Sequence, residues 1–230
     1  MSRPPPGLEL LDRHDADPAD VRESLRNIAR ANRWFGGWWA VRHGLARLVA
    51  GLPPGSALTL LDIGTGAGDL PSRAERWARR GGLRLRAFGL ERNRTAARVA
   101  SHAGIPTAVA TAGNLPLRTG AVDLVVLSQI LHHLAPDAIV RLLGEADRLA
   151  RVGVVVADLR RARAALAGFW VGSRLLRFDR ATRADGLTSV RRGFTPAELS
   201  RLLLQAGIRT PVERRPGFRL VAAWRTGAPR

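Results

Sequence analysis

Three glycines, two strand-end carboxylates and a histidine pair carry most of the chemistry this sequence can offer. The segment LTLLDIGTGAGDL, residues 58–70, runs from an apolar stretch through Gly64, Gly66 and Gly68 into a helix-like stretch. This is the pattern of a ligand loop at the carboxyl end of a buried strand. Glycine lets the chain turn tightly and approach a ligand with no Cβ in the way. The alternating spacing differs from the dinucleotide fingerprint GxGxxG, whose third glycine would fall at Asp69. Asp62, just before the loop, can brace it by accepting backbone N–H bonds. Glu91 closes the run RLRAFGLE, and a carboxylate at a strand end can accept both hydroxyls of a ribose. Farther on, His132 and His133 follow the apolar run VDLVVLS, and Asp158 ends another. A histidine beside a carboxylate on a neighbouring strand end is a general base held in one tautomer. With an ordinary pKa of ~6.5 it assists deprotonation of a phenol of pKa ~10 as the oxygen reacts. The same pair also suits packing of its loop or bonding to backbone carbonyls. His132 with Asp158 is the favoured dyad and His133 its alternative, because adjacent residues face different ways. Asp123, Asp137 and Asp158 are separated by strand and helix patterns, so no carboxylate cluster marks a metal, and metal-independent chemistry is expected.

These residues need a scaffold that brings strand ends together. Strands are expected at about 57–62, 84–90, 106–110, 122–127 and 152–158, with helices at about 68–80, 93–103 and 137–150. Strand-helix-strand alternation implies an α/β fold with a mostly parallel sheet and right-handed crossovers. Before it, Asp17-Pro18 offers an N-cap and a proline at the first helical position, and the chain to Ala50 reads as two helices joined at Gly36-Gly37. After it, Thr195-Pro196-Ala197-Glu198 is a capping box opening a leucine-rich helix that ends at Gly207. Two strand-like runs follow, at about 209–214 and 218–225, and the short Arg215-Pro216-Gly217 turn between them requires an antiparallel pair.

Composition narrows the classes. A chain of 230 residues that is 46% hydrophobic buries one substantial core and leaves no room for a second full domain. The absence of cysteine excludes disulfides and cysteine zinc sites, and with no signal-like apolar segment it suggests a cytoplasmic protein without a membrane span. A net charge of +18 ordinarily suggests nucleic acid. All 37 basic residues are arginine, however, with no lysine and no tyrosine, a pattern that GC-rich codon usage produces. The arginines are also dispersed rather than gathered, so a solvated surface is the expected reading and nucleic acid an unlikely partner.

LDIGTGAGD followed by GLE resembles the first two motifs of class I S-adenosylmethionine-dependent methyltransferases, and the resemblance spans about residues 57–225. It implies a Rossmann-like sheet finished by a C-terminal antiparallel hairpin, with S-adenosylmethionine as cofactor. Gly64, Thr65 and Gly66, with Gly68 behind them, then serve the methionine portion, Glu91 the ribose, and Arg92 flanks the adenine. Residues 111–116, Thr111-Ala112-Gly113-Asn114-Leu115-Pro116, are similar to the D-A-x-x-L-P loop of that group. Thr111 stands where the acid usually accepts from the adenine amino group, so Ala112 backbone atoms or the Asn114 side chain take over that contact. Val122–Leu134 resembles the fourth-strand motif, which places Ser128 and Gln129 near the cofactor.

The resemblance also assigns the flanks. Residues 1–16 are expected as a flexible tail, 17–50 as an N-terminal helical lid, and 51–230 as the cofactor-binding domain, with a lid insertion at 159–193. Trp34, Trp38 and Trp39 in one lid, and Phe169 and Trp170 in the other, are candidates for the acceptor pocket, as are Arg160 and Arg192. The stretches NRWFGG, VVVADLRR, SVRRGFTPAEL and FRL look like a bacterial methyltransferase subgroup often encoded beside type III polyketide synthases. That likeness implies O-methylation of a small hydroxylated aromatic or polyketide-derived acceptor. C-methylation of a quinone or phenolic ring, as in the ubiquinone/menaquinone methyltransferase group, is the first rival, and RNA binding or RNA methylation the second. Neither the oligomeric state nor the acceptor's identity follows from the sequence.

Overall fold

In the computed structural model, residues 3–4, 9–12, 16–111 and 115–227 are described. Seven strands form one sheet: β1 (Ala57–Ile63), β2 (Arg84–Glu91), β3 (Thr107–Val109), β4 (Val122–Ser128), β5 (Ala150–Leu159), β6 (Glu213–Arg215) and β7 (Arg219–Arg225). Their order is β3-β2-β1-β4-β5-β7-β6, with β1 to β5 parallel and β7 antiparallel to both β5 and β6. The expected α/β architecture and its terminal hairpin are therefore present. Only the strand expected at 209–214 is much shorter than its apolar pattern suggested.

Helices cover both faces, which is why the central strands read as nearly unbroken apolar runs. On one face α2 (Gly37–Val49) and α3 (Asp69–Arg80) pack against Leu60, Leu124, Val126 and Val155. On the other, α5 (Pro136–Leu149) and α8 (Pro196–Gln205) pack against Leu61, Val125, Val154 and Val156. The period of two along each strand sends these alternate residues to opposite cores. Between them in sequence, α4 (Arg94–His102) starts on Asn93, whose side chain accepts from the N–H groups of Thr95 and Ala96.

The remaining helices lie over the carboxyl edge of the parallel strands. α1 (Pro18–Trp34) starts on Asp17, whose carboxylate accepts from Ala19 N at 2.6 Å. α6 (Arg163–Leu175) and α7 (Arg180–Arg192) follow β5. The end of α1 and the insertion share a small core, with the Phe35 ring 5.8 Å from that of Phe169 and 6.5 Å from that of Phe178. Asn27 donates to Asp179 at 2.8 Å across the same junction. The Gly36-Gly37 junction is tightly packed: a Cβ on Gly36, at φ +81°, would stand 2.5 Å from Pro216 O, and one on Gly217 2.3 Å from Phe35 O. Two backbones approach so closely there that only glycine fits. No helix among the described residues is long and apolar enough to cross a membrane.

Close approach also sets how α2 meets the sheet. A Cβ on Gly44 would lie 2.5 Å from Val155 Cγ1 and 2.9 Å from Val155 Cγ2. Gly44→Val should therefore overpack this interface and lower unfolding free energy by about 1–3 kcal/mol. Urea denaturation of the variant at wild-type stability would contradict the packing described here.

Candidate active site

A parallel sheet delivers its strand ends to one edge, and a cavity of about 1340 Å³ opens there beneath α1, α6 and α7. That is above the ~300–1,000 Å³ usual for a single drug-sized ligand. Its lining divides into an acidic end and a histidine end.

The acidic end is built by the turn after β1. Gly64 N and Thr65 N donate to Leu90 O at 2.8 and 3.1 Å, folding the loop back on β2. Gly64 sits at φ +78°, a conformation that favours glycine, and a Cβ there would have to displace the tip of Ile130, whose Cδ1 would lie 2.8 Å away. Glu91 accepts from Gly66 N at 2.9 Å with one carboxylate oxygen and from Asn93 N at 2.9 Å with the other. Each oxygen retains a further lone pair for a ligand hydroxyl. Asp62 Oδ2 accepts from Thr65 Oγ1 at 3.0 Å, while Asp62 Oδ1 and Ser128 Oγ are buried without partners among the described residues. Burial, reinforced by the neighbouring Asp69 and Glu91 charges, pushes the Asp62 carboxyl up to about 7, against the opposing Thr65 hydrogen bond. Asp69 is likewise raised, chiefly by burial, although Asn32 donates to it at 3.2 Å. Asn32 in turn accepts from Gln129 Nε2 at 2.6 Å, linking α1 to the exit of β4. Gln129 holds that position at φ +55°, a left-handed conformation rare for a side-chain-bearing residue.

At the other end, β4 and β5 are neighbours with Ser128 opposite Ala157, which brings the turn at 131–133 over Asp158. The Asp158 carboxylate accepts from Leu131 N at 3.0 Å, from Leu159 N at 2.7 Å and from His132 Nδ1 at 2.7 Å. Burial alone would raise its pKa, but His132 and these donors outweigh that and hold it below the usual carboxylate range. Burial holds His132 below the ordinary histidine value, and Asp158 only partly opposes it. The pair is thus a neutral imidazole donating Nδ1–H to a carboxylate, with Nε2 the unprotonated nitrogen. The His133 ring lies 4.2 Å from that of His132, and its Nε2 is 3.9 Å from Glu9. Glu9, His132 and His133 bring three potential metal-ligand atoms within 4.8 Å of one another, a grouping the sequence did not reveal. The Glu9 carboxylate is already engaged by Ser189 Oγ at 2.9 Å and Arg192 at 3.2 Å.

Of the residues singled out from sequence, Asp62, Gly64, Thr65, Gly66, Glu91, Arg92, Thr111, Ser128, Gln129, His132, His133, Trp34, Arg160 and Phe169 line this cavity. Gly68 does not; it precedes α3 and packs on Ala100 and Ile105. Leu115 is in the core. Trp38 packs on the α2 side of the sheet. Trp39 and Trp170 lie on the surface under Arg42 and Arg174. Arg192 is buried against Glu9. Ala112, Gly113 and Asn114 lie outside the described residues. The cavity adds Asn32, Asp69, Phe218 and Arg219, none of them expected in the site, and also takes in Phe35 and Phe178 from the two aromatic-rich segments, where some aromatics were expected to line a pocket. For Arg219 the one signal was the FRL stretch.

Residues 61–157 match the family model described as a methyltransferase domain. Comparison with curated proteins finds no match. Among solved structures, an S-adenosylmethionine-dependent methyltransferase from Aquifex aeolicus is similar at a TM-score of 0.59 and 16% identity, covering 90% of this chain and 97% of that one. Magnesium protoporphyrin IX methyltransferase from Synechocystis PCC 6803, solved with bound S-adenosylmethionine, has a TM-score of 0.60 at 13% identity, covering 96% and 99%. Human N-acetylserotonin methyltransferase has a TM-score of 0.61 at 16% identity, covering 92% of this chain and 57% of that one. These likenesses establish the Rossmann-like methyltransferase fold.

The acidic end fits S-adenosylmethionine. Glu91 offers acceptors for ribose hydroxyls, and the unpartnered Asp62 Oδ1 and Ser128 Oγ offer polar contacts near the glycine turn. The cofactor carries a net charge of about +1, so its affinity should rise as Asp62 ionises, between pH of about 6 and 8. The sign for stability is opposite. With its folded pKa raised, the protonated carboxyl is the favoured form, and ionisation through about pH 7 destabilises the free protein. Calorimetric titrations across that range should show the affinity trend in wild type and a flatter one in Asp62→Asn. Equal pH dependence in both would remove Asp62 from cofactor binding.

Proposed function

We propose that this chain, an S-adenosylmethionine-dependent methyltransferase by its matched domain and its fold, methylates the hydroxyl oxygen of a small hydroxyaromatic, polyketide-type acceptor. The observation that carries the reading is the His132–Asp158 pair, at 2.7 Å, with Asp158 buried behind His132 and His132 on the wall of a cavity also lined by Phe35, Phe169, Phe178 and Phe218. S-adenosylmethionine supplies a methyl group on an already activated sulfur. What the protein must add is alignment of the acceptor and a place for its proton.

The fixed tautomer of His132 answers the second need. Asp158 retains the Nδ1 proton, leaving Nε2 as the acceptor of the phenolic proton, and the same carboxylate stabilises the imidazolium that results. Burial of His132 keeps the base unprotonated at neutral pH. The phenylalanines answer the first need, because an aromatic wall with few polar groups suits a flat apolar ring. Residues 17–50 and 159–193 act in this reading as the lid over a domain of 51–230. One structural neighbour, described as a putative O-methyltransferase from Nostoc punctiforme, is in keeping with oxygen as the methylated atom. The phenylalanine-lined cavity favours a small molecule over RNA, and the lack of cysteine suits a reducing cytoplasm.

His132→Ala should lower kcat by roughly 10²–10⁴-fold with cofactor affinity little changed. Because the base works in its neutral form, the acid limb of the wild-type kcat profile should fall below the ordinary histidine range. Mass spectrometry of products from alkylated resorcinols, pyrones and quinols reports the methylated atom. Labelled RNA with no methylated hydroxyaromatic would reverse the assignment, and full turnover by His132→Ala would leave the dyad a packing role.

A further inference from the structure

We infer that Arg219, with Arg160 beside it, forms an anion subsite, and that the preferred acceptor carries a negatively charged oxygen besides the hydroxyl that is methylated. This rests on the acceptor reading above and narrows its substrate class. The location follows from strand direction. Because β7 runs antiparallel to β5, its first residue, Arg219, pairs with Leu159, the neighbour of Asp158, at the same edge as the ends of β4 and β5. Arg219 is 3% exposed and lines the cavity. Its Nε donates to Phe35 O at 3.0 Å, while one terminal nitrogen is buried without a partner among the described residues. Arg160, also in the lining, stacks its guanidinium 5.0 Å from the Phe218 ring centre and buries Nε without a partner.

A guanidinium cannot shed its proton near neutral pH, so burying it without a counterion is costly. Burial lowers Arg219 to about 10, still far above neutrality. The nearby carboxylates are committed elsewhere. Asp158 serves Leu131, His132 and Leu159, Glu9 serves Ser189 and Arg192, and Asp185 accepts from Leu10 N at 3.0 Å. Among the described residues, no carboxylate lies within ion-pair distance of Arg219 or Arg160. A ligand oxyanion placed there supplies the missing acceptor, with the planar two-point geometry arginine favours. Two acceptor chemistries meet this requirement: a ring carboxylate, or a second ring hydroxyl acidic enough to be ionised, as in a hydroxypyrone. The carboxylate of the cofactor is the competing occupant.

Matched acceptors separate these cases in the full-length wild-type protein. A dihydroxybenzoate and a 4-hydroxy-2-pyrone carrying a separate phenolic hydroxyl should each show kcat/KM roughly 10- to 100-fold above the benzamide and the 4-O-alkyl ether respectively, both of which keep a hydroxyl to be methylated. Whichever pair shows the larger preference identifies the source of the charge. Arg219→Gln should erase the preference mainly through KM while affinity for S-adenosylhomocysteine is unchanged, and Arg219→Lys should restore part of it. Equal use of charged and neutral acceptors by wild type would overturn the subsite while leaving the hydroxyaromatic reading intact. A matching loss of S-adenosylhomocysteine affinity in Arg219→Gln would assign the arginine to the cofactor and overturn it likewise. Bound S-adenosylhomocysteine with no hydroxyaromatic methylated would overturn both. Should Arg219→Gln fail to fold, the wild-type comparison of charged and neutral acceptors still decides.

Discussion

The Asp158 carboxylate is completely buried, and much of the site follows from how that charge is satisfied. An ionised group removed from water costs several kcal/mol unless donors surround it. Three donors do so here: the N–H of Leu159 in the same strand, the N–H of Leu131 in the turn after β4, and Nδ1 of His132. The first two fix where the 131–133 turn sits on the strand edge. The third fixes which nitrogen of the imidazole carries the proton. A structural requirement and a chemical one thus meet in a single side chain, and loss of either partner strands the other in a dry environment.

The two ends of the cavity apply the same electrostatic rule with opposite signs. Near the glycine turn, Asp62, Asp69 and Glu91 crowd together, and burial raises the first two toward their neutral forms. Beyond Asp158, Arg219 and Arg160 stand without acid partners among the described residues. A cavity so divided favours a cationic ligand at one end and an anionic one at the other, with the neutral histidine beside the basic end. Strand direction produces the division. Five parallel strands contribute their carboxyl ends to this edge, and only the antiparallel β7 contributes its beginning.

The same distinction explains how much the sequence disclosed. The glycine turn, Asp62 and Glu91 were legible because each lies within a few residues of a strand end, where local pattern fixes position. His132 and Asp158 required one further step, that β4 and β5 are neighbours, and the resemblance to a known sheet supplied it, because strand-helix alternation alone does not fix strand order. Arg219 was not legible as a site residue. Its place depends on a register between strands some 60 residues apart, and in sequence it is one arginine among 37 basic residues. Trp38 and Trp39, unlike Trp34, lie outside the cavity for another reason. Trp38 and Trp39 are adjacent on α2, so helix phase sends one toward the sheet and leaves the other 56% exposed, and composition carries no phase. Glu9 lay in a segment whose proline-rich start suggested a loose tail, yet it reaches Ser189, Arg192 and the histidine pair.

Those contacts constrain how the cavity can be entered. The N-terminal and post-β5 segments look separable in sequence, but Phe35 meets Phe169 and Phe178, Asn27 donates to Asp179, and Glu9 pairs with Arg192. Opening one segment alone would expose the phenylalanine core and break the buried Glu9–Arg192 ion pair, at a cost of several kcal/mol for the unpaired charges. Moving both segments together preserves these contacts and disturbs instead their join to the domain below. That join is tight at Gly36 and Gly217, where backbone meets backbone, so displacement there is confined. The end of α7 and the turn at His132–His133 are held together as well, by Glu9 between Arg192 and His133 and by Arg3, which donates to Arg192 O at 2.9 Å and to Leu134 O at 3.1 Å, so this side too resists separate displacement.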